Sequence, residues 1–172
     1  MEFEKLIADR YSVRTFKPTH LPQDVIDKIL DAGHKAPTGC NFQPQRILVL
    51  NTDESIEKLK KCTKCHFNAP TAMLICYNKE ETWKRPYDGE LSAPVDAVIV
   101  TTHLMLEAHN IGVGSCWVMH FDPFAMRNEF CIPENIEPVA LLVMGYPAEN
   151  SNPLDKHFQT RPINDVVFYE EF

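Results

Sequence analysis

Hydrophobic positions along the chain follow two periods, and these divide it into helices and strands. Over residues 2–9, Phe3, Leu6 and Ile7 fall on one helical face, with Glu early and Arg10 late, as the helix dipole favours. Pro22 suits the first position of a second helix. Its Val25, Ile26, Ile29 and Leu30 share a face, and it must end before Pro37. Asp53 can cap a third helix through about Cys62, with Ile56 and Leu59 inward and Lys58, Lys60 and Lys61 solvated. Pro94 can open a long helix to about Ile111, stopped by Gly112. Its apolar residues, among them Val95, Val98, Leu104 and Met105, wrap around much of the cylinder, as in a central or interface helix. Asp122 can cap a last helix over 123–130.

Short continuous apolar runs supply the strands. Ile47-Leu48-Val49-Leu50, Ala72-Met73-Leu74-Ile75-Cys76-Tyr77 and the run 138–144 suit buried sheet positions. A further strand follows Gly112-Val113-Gly114, where the glycines mark a helix stop and a close-approach bend. After a polar stretch from Asn150, Val166-Val167-Phe168-Tyr169 returns as a strand-like segment, and an apolar run in such a tail calls for a docking surface. The pattern predicts one α+β domain over residues 1–172, a mostly antiparallel sheet of about four strands packed by helices.

Composition narrows the classes. With 44% hydrophobic residues in 172, the chain can bury a full core. A net charge of −7 argues against a general nucleic-acid binder. No apolar run approaches the length of a membrane span, and the acidic opening lacks the apolar core of a signal peptide. A cytoplasmic protein with its six cysteines mostly reduced is expected.

The chemistry begins at Arg10-Tyr11-Ser12-Val13-Arg14. In an extended segment Arg10, Ser12 and Arg14 project to one side and can converge on an anion such as a phosphate. A solvated basic turn at a helix C-terminus fits the same residues. The loop Pro37-Thr38-Gly39-Cys40-Asn41-Phe42-Gln43-Pro44 offers uncharged donors and acceptors, or forms an ordinary turn. Cys62-Thr63-Lys64-Cys65-His66 formally matches a c-type haem attachment motif, or half of a zinc site lacking its second half; chance is the preferred reading. Gly112-x-Gly114 lacks the third glycine and the preceding strand of a dinucleotide fingerprint. Residues 79–93, with Trp83 and Tyr87, form a polar connection of the kind that serves as a lid or substrate wall.

Taken in order, Arg-x-Ser-x-Arg at 10–14, the Pro37–Pro44 loop, Gly112-Val113-Gly114-Ser115-Cys116-Trp117, and Gly145-Tyr146-Pro147 followed by Arg161 resemble the nitroreductase family of flavoproteins. The resemblance implies bound FMN, reduction by NADH or NADPH, a small electron-poor acceptor, and a homodimer with tail exchange. It carries phosphate contacts to Arg10, Ser12, Arg14 and Arg161. Flavin contacts fall to Tyr11, Pro37, Thr38, Asn41, Gln43, Asn68, Ser115, Cys116, Trp117 and Val118. Gln45 stands where the family commonly has Trp, and Thr71 stands near the place of a family lysine. No covalent nucleophile, general base or metal is implied. Three alternatives remain: another enzyme of this fold that breaks down its flavin or dehalogenates a phenol, a non-catalytic FMN-binding protein, and a haem or metal carrier on Cys62, Cys65 and His66.

Overall fold

The computed structural model describes residues 2–172. Five α-helices, α1 (Phe3–Asp9), α2 (Gln23–His34), α3 (Asp53–Cys62), α4 (Ala93–Asn110) and α5 (Pro123–Phe130), surround four strands. These are β1 (Gln45–Leu50), β2 (Thr71–Asn78), β3 (Gly114–Val118) and β4 (Ile136–Gly145). The sheet order is β1-β2-β4-β3, and every neighbouring pair is antiparallel. The α+β architecture is the expected one.

Strand alternation divides the core into two layers. Met73 and Ile75 of β2, with Leu142 and Met144 of β4, face Ile26 and Ile29 of α2 and Val100 and Leu104 of α4. Ala72, Leu74 and Cys76, with Leu141 and Val143, face Ile56 and Leu59 of α3 and Met126 of α5. Every residue of β2 is buried, which explains its unbroken apolar run. Pro138, lacking a donor, sits at the register shift between Ile75 and Cys76, where the ladder tolerates it.

Four expectations are corrected. Residues 47–50 belong to an edge strand, not a buried one, and Leu48 is exposed. Pro22 is the N-cap of α2 rather than its first residue. Thr52, not Asp53, caps α3: its hydroxyl accepts from the Ser55 N–H at 3.2 Å, and Ser55 Oγ accepts from the Thr52 N–H, completing a capping box. Residues 166–169 form no strand; they follow a single 3-10 turn at Ile163–Asp165, are exposed, and pair with no strand among the described residues. The Asp122 cap of α5 is as expected, accepting from Phe124 and Ala125 N–H at 2.8 and 3.1 Å. Among the described residues no helix is long and apolar enough to cross a membrane.

Candidate active site

Leaving α1, residues 10–16 run extended along the outer edge of β3. Ser12 bridges Ser115 in parallel, the Val13 N–H donates to Ser115 O at 2.9 Å, and Phe16 bridges Pro147. Val13 is buried against Gly114, where a Cβ would lie 2.7 Å from Val13 Cγ2, so only glycine admits this approach. With Val13 turned inward, its neighbours line a cavity of about 360 Å³ together with Leu154, Lys156 and His157. Arg10, Tyr11, Ser12 and Arg14 all face it. Two arginines and a lysine thus gather around one cavity of an otherwise acidic chain.

Local contacts fix the shape of the cavity. Arg14 Nη1 donates to Ser12 O at 3.0 Å, and its guanidinium lies 5.8 Å from the centroid of the Phe67 ring. Tyr11 Oη donates to Ser151 O or Oγ, both at 3.2 Å, and the ring meets His157 edge-on at 6.4 Å. These contacts bring the 151–157 segment over residues 10–14. Beneath them, burial pushes the Cys116 thiol up, while Arg14, a hydrogen bond with Ser12 and Arg10 pull it the other way. Cys116 is a packed thiol, not a poised nucleophile.

The Pro37–Pro44 loop takes an uncommon shape. Cys40, Asn41 and Gln43 all have positive φ, at 46°, 59° and 51°. Three non-glycine residues in the left-handed region persist only where the surroundings hold them. Here the Gly39 N–H donates to Asp96 Oδ1 at 2.8 Å, Ser92 Oγ donates to Asp96 Oδ2 at 2.8 Å, and the Gln43 N–H donates to Thr38 Oγ1 at 3.1 Å. A Cβ on Gly39 would sit 2.7 Å from Ser92 Oγ and 3.5 Å from Trp83 Cβ, so the loop lies directly on the start of α4 and on Trp83. Pro37, Asn41 and Gln43 remain exposed, offering their polar groups outward.

A family model described as the Nitroreductase family matches residues 7–74 and 63–146, well over half of the chain. The chain belongs to the nitroreductase family. A crystal structure of a nitroreductase family protein from Clostridium difficile 630 is 39% identical, with a TM-score of 0.93 and full coverage of both chains. A Methanothermobacter thermautotrophicus protein, provisionally named NADH dehydrogenase/NAD(P)H nitroreductase, is 27% identical over 90% of this chain and 82% of its own. An FMN-dependent nitroreductase from Clostridium difficile R20291 shares the fold at 24% identity, with a TM-score of 0.80 over 99% of this chain and 100% of its own. The protein is thus an oxidoreductase.

Within this family member the predicted site residues fall into two groups, with Arg161 apart from both. Arg10, Tyr11, Ser12 and Arg14 line one cavity; Ser115 is tied to it through Val13, Cys116 lies beneath, and Asn68 follows Phe67 on the turn under Arg14. Trp117 packs toward the α2–α4 layer, and Val118, like Cys116, packs toward the α3–α5 layer. Pro37, Thr38, Asn41 and Gln43 lie elsewhere. Their loop is pinned to Asp96, whereas Arg10 acts on His109, whose ring is pushed down first by burial and then by that arginine. Asp96 and His109 are separated by about 20 Å along α4 at a rise of about 1.5 Å per residue. Arg161 is on the exposed tail, outside the residues lining the cavity.

Lys156 and His157 also line this cavity, and the sequence pattern did not single them out; their position beside Arg10 arises only from the fold. The Cys62–His66 stretch is the end of α3 and a turn. Burial pushes the Cys62 thiol up, and His66 Nδ1 accepts from the Asn68 N–H at 3.0 Å, holding Phe67 and Asn68 at positive φ. Its histidine therefore shapes the turn beside Arg14. Residues 82–92 are a hairpin rather than an open loop: Lys84 bridges Leu91, the Arg85 N–H donates to Glu90 O, and Tyr87 projects from the tip, 95% exposed.

Proposed function

We propose that the protein is an FMN-dependent oxidoreductase that passes electrons from NAD(P)H to a small electron-poor acceptor, a nitroaromatic or a quinone. The observation that carries this reading is the cavity lined by Arg10, Arg14, Lys156 and His157 beside Ser12. This donor set fits a phosphate monoester: guanidinium forks, an ammonium and a hydroxyl, with no acidic side chain among the lining residues. FMN, when bound, supplies the redox chemistry. The chain holds the phosphate through Arg10, Ser12, Arg14 and Lys156, and presents Asn68 and the β3 strand to the ring. Asn41 and Gln43 bring amides that need no charge to bind it.

The separation of those two groups along α4 supports a homodimer in this reading. One chain cannot fold the Pro37–Pro44 loop onto its own phosphate cavity, but a second copy can supply the loop. The exposed apolar residues fit such a partner: Val95 and Val98 on α4 are 60% and 40% exposed, and Phe168 on the tail is 54% exposed. Arg161 would come to the phosphate with the tail. Steady-state kinetics tests the function. Because donor and acceptor share one open flavin face in turn, parallel double-reciprocal lines are expected with NAD(P)H and a quinone; intersecting lines would require two separate pockets.

A further inference from the structure

The turn after α3 is held by side chains of its own segment. His66 O accepts from the Ala69 N–H at 2.9 Å, and the residues between them, Phe67 and Asn68, both have a φ of 50°. Positive φ at both central positions is the signature of a type I′ turn, which asparagine tolerates and phenylalanine does not favour. A left-handed Phe67 persists only where its surroundings hold it. One brace is the Cys65 N–H, which donates to Thr63 Oγ1 at 2.9 Å. The other is the His66 ring, whose Nδ1 accepts from the Asn68 N–H at 3.0 Å.

The second brace works only with a neutral ring. Nδ1 must be bare to accept, so the single ring proton sits on Nε2; a second proton would set a donor against a donor. Burial pulls the His66 pKa below its ordinary value, Lys60 pulls the same way, and Glu57 opposes them. These two α3 residues pair with each other at 2.6 Å. The other elements at the turn bring Arg14, over the Phe67 ring, and His120 and Asp122, whose backbones are tied to Thr63 and Cys62. The brace is therefore complete above the ordinary imidazole value of about 6.5, and is lost as the pH falls through the lowered one.

The turn supports part of the phosphate cavity. Arg14 lines that cavity, with its guanidinium 5.8 Å from the Phe67 ring centroid, and Asn68 stands exposed beside it. We propose that His66 is a positioning residue whose protonation frees this turn, withdraws Phe67 and Asn68, and loosens FMN in mild acid. The inference rests on the reading of the cavity as an FMN site and adds a pH control to it.

Fluorescence titration of the full-length protein with FMN, from about pH 8 to about pH 5, compares wild type, His66→Asn and His66→Ala. Asparagine keeps an acceptor for the Asn68 N–H and does not titrate, whereas alanine removes the acceptor. Protonation of the FMN phosphate, at about pH 6, weakens binding to all three alike. The affinity of His66→Asn relative to wild type should therefore rise roughly threefold to tenfold towards acid, the worth of one hydrogen bond. His66→Ala should bind more weakly than His66→Asn at every pH. In flavin-free wild type, the Asn68 amide resonance should shift with the same midpoint as the His66 ring. A constant ratio of His66→Asn to wild type, equal affinities of the two variants, or an Asn68 amide that ignores the His66 titration overturns the inference and leaves the FMN site standing. No FMN uptake by any of the three proteins at any pH contradicts the proposed function as well.

Discussion

Gly39 and Asp96 are joined by a 2.8 Å hydrogen bond from the loop backbone to a carboxylate at the start of α4. Asp96 is only 2% exposed, and its second oxygen accepts from Ser92. A buried carboxylate with two donors anchors a loop whose own backbone is strained at Cys40, Asn41 and Gln43. Asp96→Ala should therefore cost about 1.5–3 kcal/mol in urea unfolding, the range for hydrogen bonds to a charged group. Gly39→Ala should also destabilise, because its Cβ would meet Ser92. Unaltered unfolding midpoints in both variants would show that the anchor is not needed.

Arg14→Ala should weaken FMN binding roughly tenfold to a hundredfold, as expected for loss of a charge-assisted phosphate contact. Cys62→Ser and Cys65→Ser should leave affinity nearly unchanged, because those thiols face the α3–α5 layer rather than the cavity. Fluorescence titration of the flavin-free protein measures all three. Equal losses would mean that the turn, not the arginine, governs binding.

Much of this architecture is legible in local pattern. Met73 and Ile75 alternate with Leu74 and Cys76, so β2 could be read as buried on both faces before either layer was known. The Arg10–Arg14 spacing likewise indicated a shared side once the segment was extended. What escaped was decided by distant contacts. An apolar run such as that of β1 does not say whether a second neighbour will pair with it, and none does. Thr52 and Asp53 are both good caps, and the backbone at Thr52 selects between them. Lys156 and His157 have no local signal at all; they reach Arg10 because Tyr11 holds Ser151 from 140 residues away.

On the proposed dimer, removing residues 163–172 should abolish dimerisation and release FMN. In one chain Val166, Phe168 and Tyr169 stand 54%, 54% and 83% exposed, and burying each large apolar side chain on a partner should contribute about 1.5–3 kcal/mol before ordering entropy. Light scattering with flavin quantification is the check. A folded dimer that keeps its FMN after truncation would show that the tail does not clasp the assembly.

The visible spectrum of the purified protein tests the central claim most directly. The arginine-lined cavity without a dinucleotide fingerprint predicts yellow protein that releases FMN and not FAD on denaturation, and whose colour bleaches on anaerobic addition of NADH or NADPH. Bound FAD, or a colourless protein that takes up no added FMN, would contradict it.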